Sequence, residues 1–124
     1  MNFEIGEAAR RAGVRPSAIR YYEKQGLLSA ERGAGGRRVF TMESVERLVL
    51  IRRAKALGFS LDQIRELMAA FPQKRWSDLA AAKLVEVDAL LQRIEGMRDG
   101  LRRISDCHCR DLEQCAHAIA SKMC

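Results

Sequence analysis

The sequence contains no apolar run long enough to span a membrane, which would require about 20 consecutive residues. Its first residues also lack the basic-then-apolar pattern of a secretory signal peptide, so we expect a cytoplasmic protein with no membrane partner. No Gly-rich phosphate loop follows a predicted strand, and no nucleophile–base pair is suggested. These absences predict that the chain is not an enzyme.

Cysteine is absent from residues 1–106, and all four cysteines follow within residues 107–124. Because cytoplasmic thiols stay reduced, four of them favour metal or redox chemistry over a disulfide framework. Their confinement to one short segment argues against an incidental role. Thiols spaced like Cys107, Cys109 and Cys115 can close around one soft ion or cluster.

The net charge of +6 is unevenly distributed along the chain. Residues 1–55 contain 12 Lys/Arg and 6 Asp/Glu, a net of +6, whereas residues 56–124 contain 10 of each, a net of zero. A basic first half is typical of a domain that binds a polyanion, although an ordinary basic surface gives the same count. Hydrophobic residues make up 48%, enough to form a core.

The N-terminal pattern predicts two short helices joined by a tight turn. Apolar residues share one face of a helix over residues 4–12. Gly13 permits a turn and Pro16 suits the first turn of a second helix, which covers residues 17–25. Two such helices form the helix-turn-helix pattern.

Three further elements follow the helix-turn-helix. Short apolar segments around the Gly-rich residues 32–36 predict a small β-hairpin, or wing. Thr41 and Ser60 are good N-caps and open a third and a fourth helix, and the fourth ends at Phe71–Pro72.

Residues 76–105 contain no Pro and predict one long helix. Its apolar residues recur at helical spacing and form two adjacent stripes: Leu84, Val87, Leu90, Leu91, Ile94, Met97, Leu101 and Ile104. So small a domain cannot bury this face, so we expect the helix to pair with a second copy as in a coiled coil. Packing within the monomer is the alternative.

Several segments resemble the MerR family of bacterial transcription regulators. The resemblance begins with Ile-Gly-Glu-Ala-Ala at residues 5–9 and Ala-Ile-Arg-Tyr-Tyr-Glu-Lys-Gln-Gly-Leu at residues 18–27. It continues in order through residues 38–41, 48–54 and 57–64, and it covers almost the whole chain.

This resemblance implies a mainly α fold with three parts. They are a winged helix-turn-helix DNA-binding domain, a long antiparallel dimerisation helix and a short effector-binding loop. In this sequence the predicted boundaries are residues 1–72 for the DNA-binding domain, 76–105 for the dimerisation helix, and 106–124 for the Cys-rich loop and tail.

The resemblance also implies a DNA-binding face. The second helix is then the recognition helix in the major groove, with Arg20 and a Tyr hydroxyl gripping phosphates and the wing arginines reaching the backbone or minor groove. One of the two adjacent tyrosines should lie in the core, because neighbours in a helix point about 100° apart. The predicted DNA-binding residues are Arg15, Ser17, Arg20, Tyr21, Tyr22, Arg32, Arg37 and Arg38.

Family members act as homodimers on a promoter spacer that is too long for RNA polymerase. Effector binding makes the dimer distort and underwind the DNA, which aligns the promoter elements. The resemblance therefore implies control of transcription by DNA deformation.

Two interpretations of the effector site compete. The seven residues between Cys107 and Cys115 are similar to the cysteine pair of the copper-sensing branch, where two thiolates suit Cu(I). In that branch a Ser at the start of the dimerisation helix replaces the Cys that divalent-metal sensors carry there, and Ser77 stands near this position. Alternatively, three thiolates bind Zn(II) or Hg(II), with His108 or His117 as a fourth ligand for Zn(II).

The second interpretation is redox sensing. Cys107, Cys109 and Cys115 resemble the last three ligands of the [2Fe–2S] branch, and a double Arg in the wing is also more like that branch. The first ligand falls at Ile104, so a cluster would need Cys124 or a His instead. We therefore expect a soft metal ion, Cu(I) or Zn(II), with a cluster or an effector-independent DNA-binding protein as alternatives.

Overall fold

The computed structural model describes residues 1–121. The chain divides into two compact units, Met1–Trp76 and Ser77–Cys124. Within the described residues, no helix combines the length and the apolar character needed to cross a membrane. The predicted fold class, a mainly α chain with a winged helix-turn-helix and a long C-terminal helix, is confirmed. The predicted boundaries and roles of the three segments stay predictions.

The helix-turn-helix consists of α1 (Ile5–Ala12) and α2 (Pro16–Lys24). Gly13 ends α1 in the left-handed conformation, at φ 72°, and its backbone N–H is directed at the carbonyls of Ala9 and Arg10. Glycine adopts this conformation at little steric cost, which allows the sharp turn into α2. Pro16 occupies the first turn of α2, where its missing N–H leaves no hydrogen bond unmade.

A three-stranded antiparallel sheet forms the wing. Its strands are β1 (Asn2–Phe3), β2 (Glu31–Arg32) and β3 (Arg38–Thr41), in the order β1-β3-β2. Gly33 opens the hairpin, and a Cβ there would lie 2.9 Å from a methyl of Val39, so a larger residue would force the Val39 side chain to shift. The hairpin was predicted, but β1 was not, because two residues are too short to show an alternating pattern.

Two capped helices complete the first unit. Thr41 accepts a hydrogen bond from the backbone of Ser44 and starts α3 (Met42–Ala56). Ser60 starts α4 (Leu61–Ala70) with a reciprocal capping box. Both N-caps match the sequence prediction. The core under these helices is closed by side chains with almost no exposure: Ile19, Leu27, Phe40, Leu48, Ile51, Ile64 and Leu67.

The second unit contains most of α5 (Trp76–Ser105) and all of α6 (Leu112–Ala120). The 30-residue α5 has the predicted bounds, and none of its residues is buried. The apolar side chains of the predicted stripe are between 38% and 62% exposed, so the chain by itself leaves the stripe uncovered. We did not predict α6 from the sequence, although Asp111 followed by Gln114 is an N-terminal capping signal.

Candidate metal centre and nucleic-acid interface

The exposed side of α2 carries the first group of predicted DNA-binding residues. Arg15 is the N-cap residue of α2, and Ser17 and Arg20 lie within its first two turns, all three exposed. Tyr21 is 48% exposed, whereas Tyr22 is 7% exposed and belongs to the core. The expectation that one of the two tyrosines packs inside is thus confirmed, and Tyr22 is that residue.

The wing arginines are held by acceptors of the chain itself. Arg37 forms an ion pair with Glu4 at 2.6 Å, and Arg38 pairs at 3.0 Å with Glu23, whose side chain is only 18% exposed. Arg32 donates to the backbone carbonyl of Gly36 at 2.9 Å. Exposed ion pairs stabilise a fold by about 0–1 kcal/mol. The exposed Arg37–Glu4 pair therefore adds little to the stability of the wing.

A second ionic cluster lies on α1 and was not predicted. Glu7 accepts hydrogen bonds from Arg10 and Arg11, with the shortest Arg10 contact at 2.6 Å. Hydrogen bonding by Arg10, and then by Arg11, lowers the pKa of the Glu7 carboxyl below its usual value. Glu7 thereby balances local positive charge on α1, a contribution already included in the net charge of the first half.

The cysteine cluster lies at the start of the segment that follows α5. The Sγ atoms of Cys107, Cys109 and Cys115 all lie within 4.8 Å of one another, and each residue is half-buried. The Sγ atoms of Cys107 and Cys109 are 3.1 Å apart. Three sulfur atoms at these separations can be ligands of a single soft ion.

Backbone hydrogen bonds at two helix ends position the outer two cysteines of the cluster. The backbone N–H of Cys107 donates to the carbonyl of Ile104 at 3.0 Å and extends the last turn of α5. Asp111 caps α6 by accepting from the Gln114 backbone at 2.8 Å. Cys115 donates its backbone N–H to the Asp111 carbonyl at 3.1 Å and so lies in the first turn of α6. Two helix ends thus fix the outer cysteines, and Cys109 lies on the loop between them.

The other predicted ligands are not part of this cluster. Among residues 1–121, no histidine or carboxylate joins the three sulfur atoms, so neither His108 nor His117 lies with them. Ile104, at the position where the [2Fe–2S] resemblance places a fourth cysteine, offers no ligand atom. Ser77 is exposed near the start of α5, and Cys124 lies outside the described residues. The cluster present is therefore three thiols.

Two family models match the chain. Residues 3–70 match the model described as MerR HTH family regulatory protein, and residues 45–104 match the model described as MerR, DNA binding. Together they cover the first unit and almost all of α5, which are the parts carrying the basic face and the apolar stripe.

Curated relatives extend over most of the chain. The HTH-type transcriptional regulator ZntR of Escherichia coli (strain K12) is 39% identical over 114 residues, covering 86% of this chain and 81% of the relative. The HTH-type transcriptional regulator HmrR of Rhizobium leguminosarum bv. viciae is 35% identical over 117 residues, covering 90% of this chain and 91% of the relative.

Solved structures share the fold. The regulator PbrR691 of Ralstonia metallidurans CH34, in complex with lead(II), has a TM-score of 0.68 at 25% identity, covering 90% of this chain and 92% of that one. MerR of Bacillus megaterium MB1, in complex with mercury(II), has a TM-score of 0.65 at 27% identity, covering 98% of this chain and 100% of that one. HiNmlR, a MerR family regulator bound to promoter DNA, has a TM-score of 0.55 at 25% identity, covering 86% of this chain and 80% of that one.

The winged helix-turn-helix, the long exposed helix and these similarities agree with one another. The basic first unit is a domain that binds double-stranded DNA. The chain belongs to the MerR family of helix-turn-helix transcription regulators.

Proposed function

We propose that this chain is a cytoplasmic, homodimeric transcription regulator that senses a soft metal ion through Cys107, Cys109 and Cys115. The observation that carries the proposal is the convergence of three Sγ atoms within 4.8 Å, in a unit separate from the DNA-binding domain. Thiolates are soft ligands and select ions such as Cu(I) and Zn(II) over hard cations. The similarity to regulators solved with lead(II) and mercury(II) supports a thiophilic effector.

The apolar stripe of α5 supports the homodimer. A helix of 30 residues is about 45 Å long, and its apolar face needs a partner along most of that length. A second copy supplies an identical stripe, and burying apolar surface yields about 25 cal/mol per Å². Pairing through α5 would place two DNA-binding domains on one assembly, as recognition of two half-sites requires.

The promoter mechanism follows from this arrangement. Each protomer would place α2 in a major groove, with Arg15, Ser17 and Arg20 facing the DNA and the wing arginines beside the backbone. Ion binding at the end of α5 would favour a dimer geometry that distorts the promoter and so aligns it for RNA polymerase. The ion shifts the equilibrium only as far as it binds the two geometries with different affinity.

The test is a transcription assay with the full chain, its target promoter and added Cu(I) or Zn(II). Cys107→Ser and Cys115→Ser should each abolish the ion-dependent response while promoter binding by mobility shift is retained. Cys124→Ser, which changes the fourth cysteine in the same way, should keep the response.

A response that persists in both Cys107→Ser and Cys115→Ser would place the effector site elsewhere. Metal content and the visible spectrum of protein purified without oxygen provide an independent check. A brown protein containing iron and sulfide would contradict the metal-sensing proposal and support a redox sensor.

A further inference from the structure

We infer that the three-thiol cluster takes a trivalent group-15 ion, As(III) or Sb(III), held entirely by Cys107, Cys109 and Cys115 of one protomer. The inference rests on the proposed function, because it assigns the class of ion to the same sensor site. It goes further by fixing the coordination number at three and by removing the need for a ligand from a second copy.

The number of ligand atoms in the cluster favours a trivalent ion. In the described part of the chain, the cluster offers three sulfur atoms and no nitrogen or oxygen ligand. Structural zinc sites are almost always four-coordinate and tetrahedral, so three thiols leave zinc one ligand short. Trivalent arsenic and antimony bind three thiolates in a pyramid and carry a lone pair at the remaining position, so they need no fourth ligand.

A fourth thiolate or imidazole ligand has no source outside residues 107–124. Residues 1–106 contain neither cysteine nor histidine, so the DNA-binding domain and α5 of a second copy have no thiolate or imidazole to add. Each centre must therefore find its thiolate and imidazole ligands among residues 107–124. Cys124 is the one further thiol in that segment, and it provides a matched control.

Charge balance also favours a trivalent ion. Three thiolates around a trivalent ion form a neutral complex. The same three thiolates give a complex with a net charge of −1 around a divalent ion and −2 around Cu(I). Excess negative charge in a half-buried site carries a desolvation cost, so the neutral complex is preferred.

The reaction balances without an oxidant or reductant. Arsenous acid, As(OH)₃, meets three thiols: three As–O bonds break, three As–S bonds form, and each hydroxide leaves as water with a thiol proton. Arsenic remains trivalent and the sulfur atoms are not oxidised. The half-buried position of all three cysteines gives such a small neutral molecule access to them.

The experiment titrates the full-length protein with arsenite without oxygen and counts the thiols that still react with an aromatic disulfide reagent. The count should fall from four per chain to one, with one arsenic bound per chain. Cys124→Ser should bind the same amount of arsenic and leave no reactive thiol. Cys107→Ser, Cys109→Ser and Cys115→Ser should each lose stable binding, and equimolar Zn(II) should not displace arsenic from the wild-type protein.

The results separate this inference from the proposed function. Protection of only two thiols, loss of binding in Cys124→Ser, or displacement by equimolar Zn(II) would overturn the three-coordinate assignment. If arsenite fails to bind while Pb(II) or Cu(I) binds through Cys107, the inference fails and the metal-sensing proposal stands. If none of these ions binds to the cysteines, both fail.

Discussion

Replacing Arg20 with Ala tests the DNA-binding face most directly. Arg20 lies exposed on α2, and within residues 1–121 it forms no ion pair with the chain, unlike Arg37 and Arg38 on the wing. Its charge is thus fully available to a phosphate. Because a phosphate contact releases condensed counterions, its removal should lower both the affinity for DNA and the salt dependence of that affinity.

The magnitude follows from the proposed homodimer, which carries Arg20 twice. Each phosphate contact contributes about 0.9 to the slope of log affinity against log salt concentration, so the variant should lose about 1.8 of slope. Raising the salt from about 50 to about 200 mM should then weaken the wild-type protein about 12-fold more than the variant. The loss should be similar on all duplex sequences, because phosphates carry no sequence information.

Fluorescence anisotropy with a duplex selected for binding, at four or more salt concentrations, measures this slope. Arg93→Ala makes the same change of charge on α5 and should leave the slope close to that of the wild-type protein. An unchanged slope for Arg20→Ala would remove Arg20 from the phosphate contacts. A loss confined to one duplex sequence would instead indicate that Arg20 reads a base.

Three further predictions concern stability and assembly. Ser60→Ala should destabilise the DNA-binding domain by about 1 kcal/mol, because it removes the capping box, and calorimetry should show a lower Tm. As a control, replacing the exposed Ser29 with Ala should change the stability by less than about 0.5 kcal/mol. Leu91→Glu places a charge in the apolar stripe and should give monomers in sedimentation experiments. Gln92→Glu introduces the same residue away from the stripe and should remain dimeric. If both variants are dimers, pairing through α5 is contradicted. The fold lowers the pKa of Glu7, so its stabilising effect is present at neutral pH and is lost as the pH falls through that pKa. In urea unfolding, the free energy of unfolding of Glu7→Gln should therefore decrease less on acidification than that of the wild-type protein. Equal decreases would refute the assignment.

Short-range patterns accounted for most of the fold. N-caps at Thr41 and Ser60 and the turn at Gly13 are determined within a few residues of the chain, so the sequence alone predicted α1 to α4. The apolar spacing over residues 76–105 predicted α5 because a helix repeats every 3.6 residues. The same rules missed β1, whose two residues gain their conformation from pairing with β3.

The candidate sites were predictable by residue type but not by arrangement. The sequence by itself determined that the basic charge lies in the first half and that every cysteine follows residue 106. Only the tertiary structure decided that Tyr22 packs inside while Tyr21 is exposed, and that Arg37 pairs with Glu4, 33 positions away. It also separated three sulfur atoms from both histidines. Spacing limits which atoms can meet, whereas the directions of side chains are set by packing between segments that are distant in the chain.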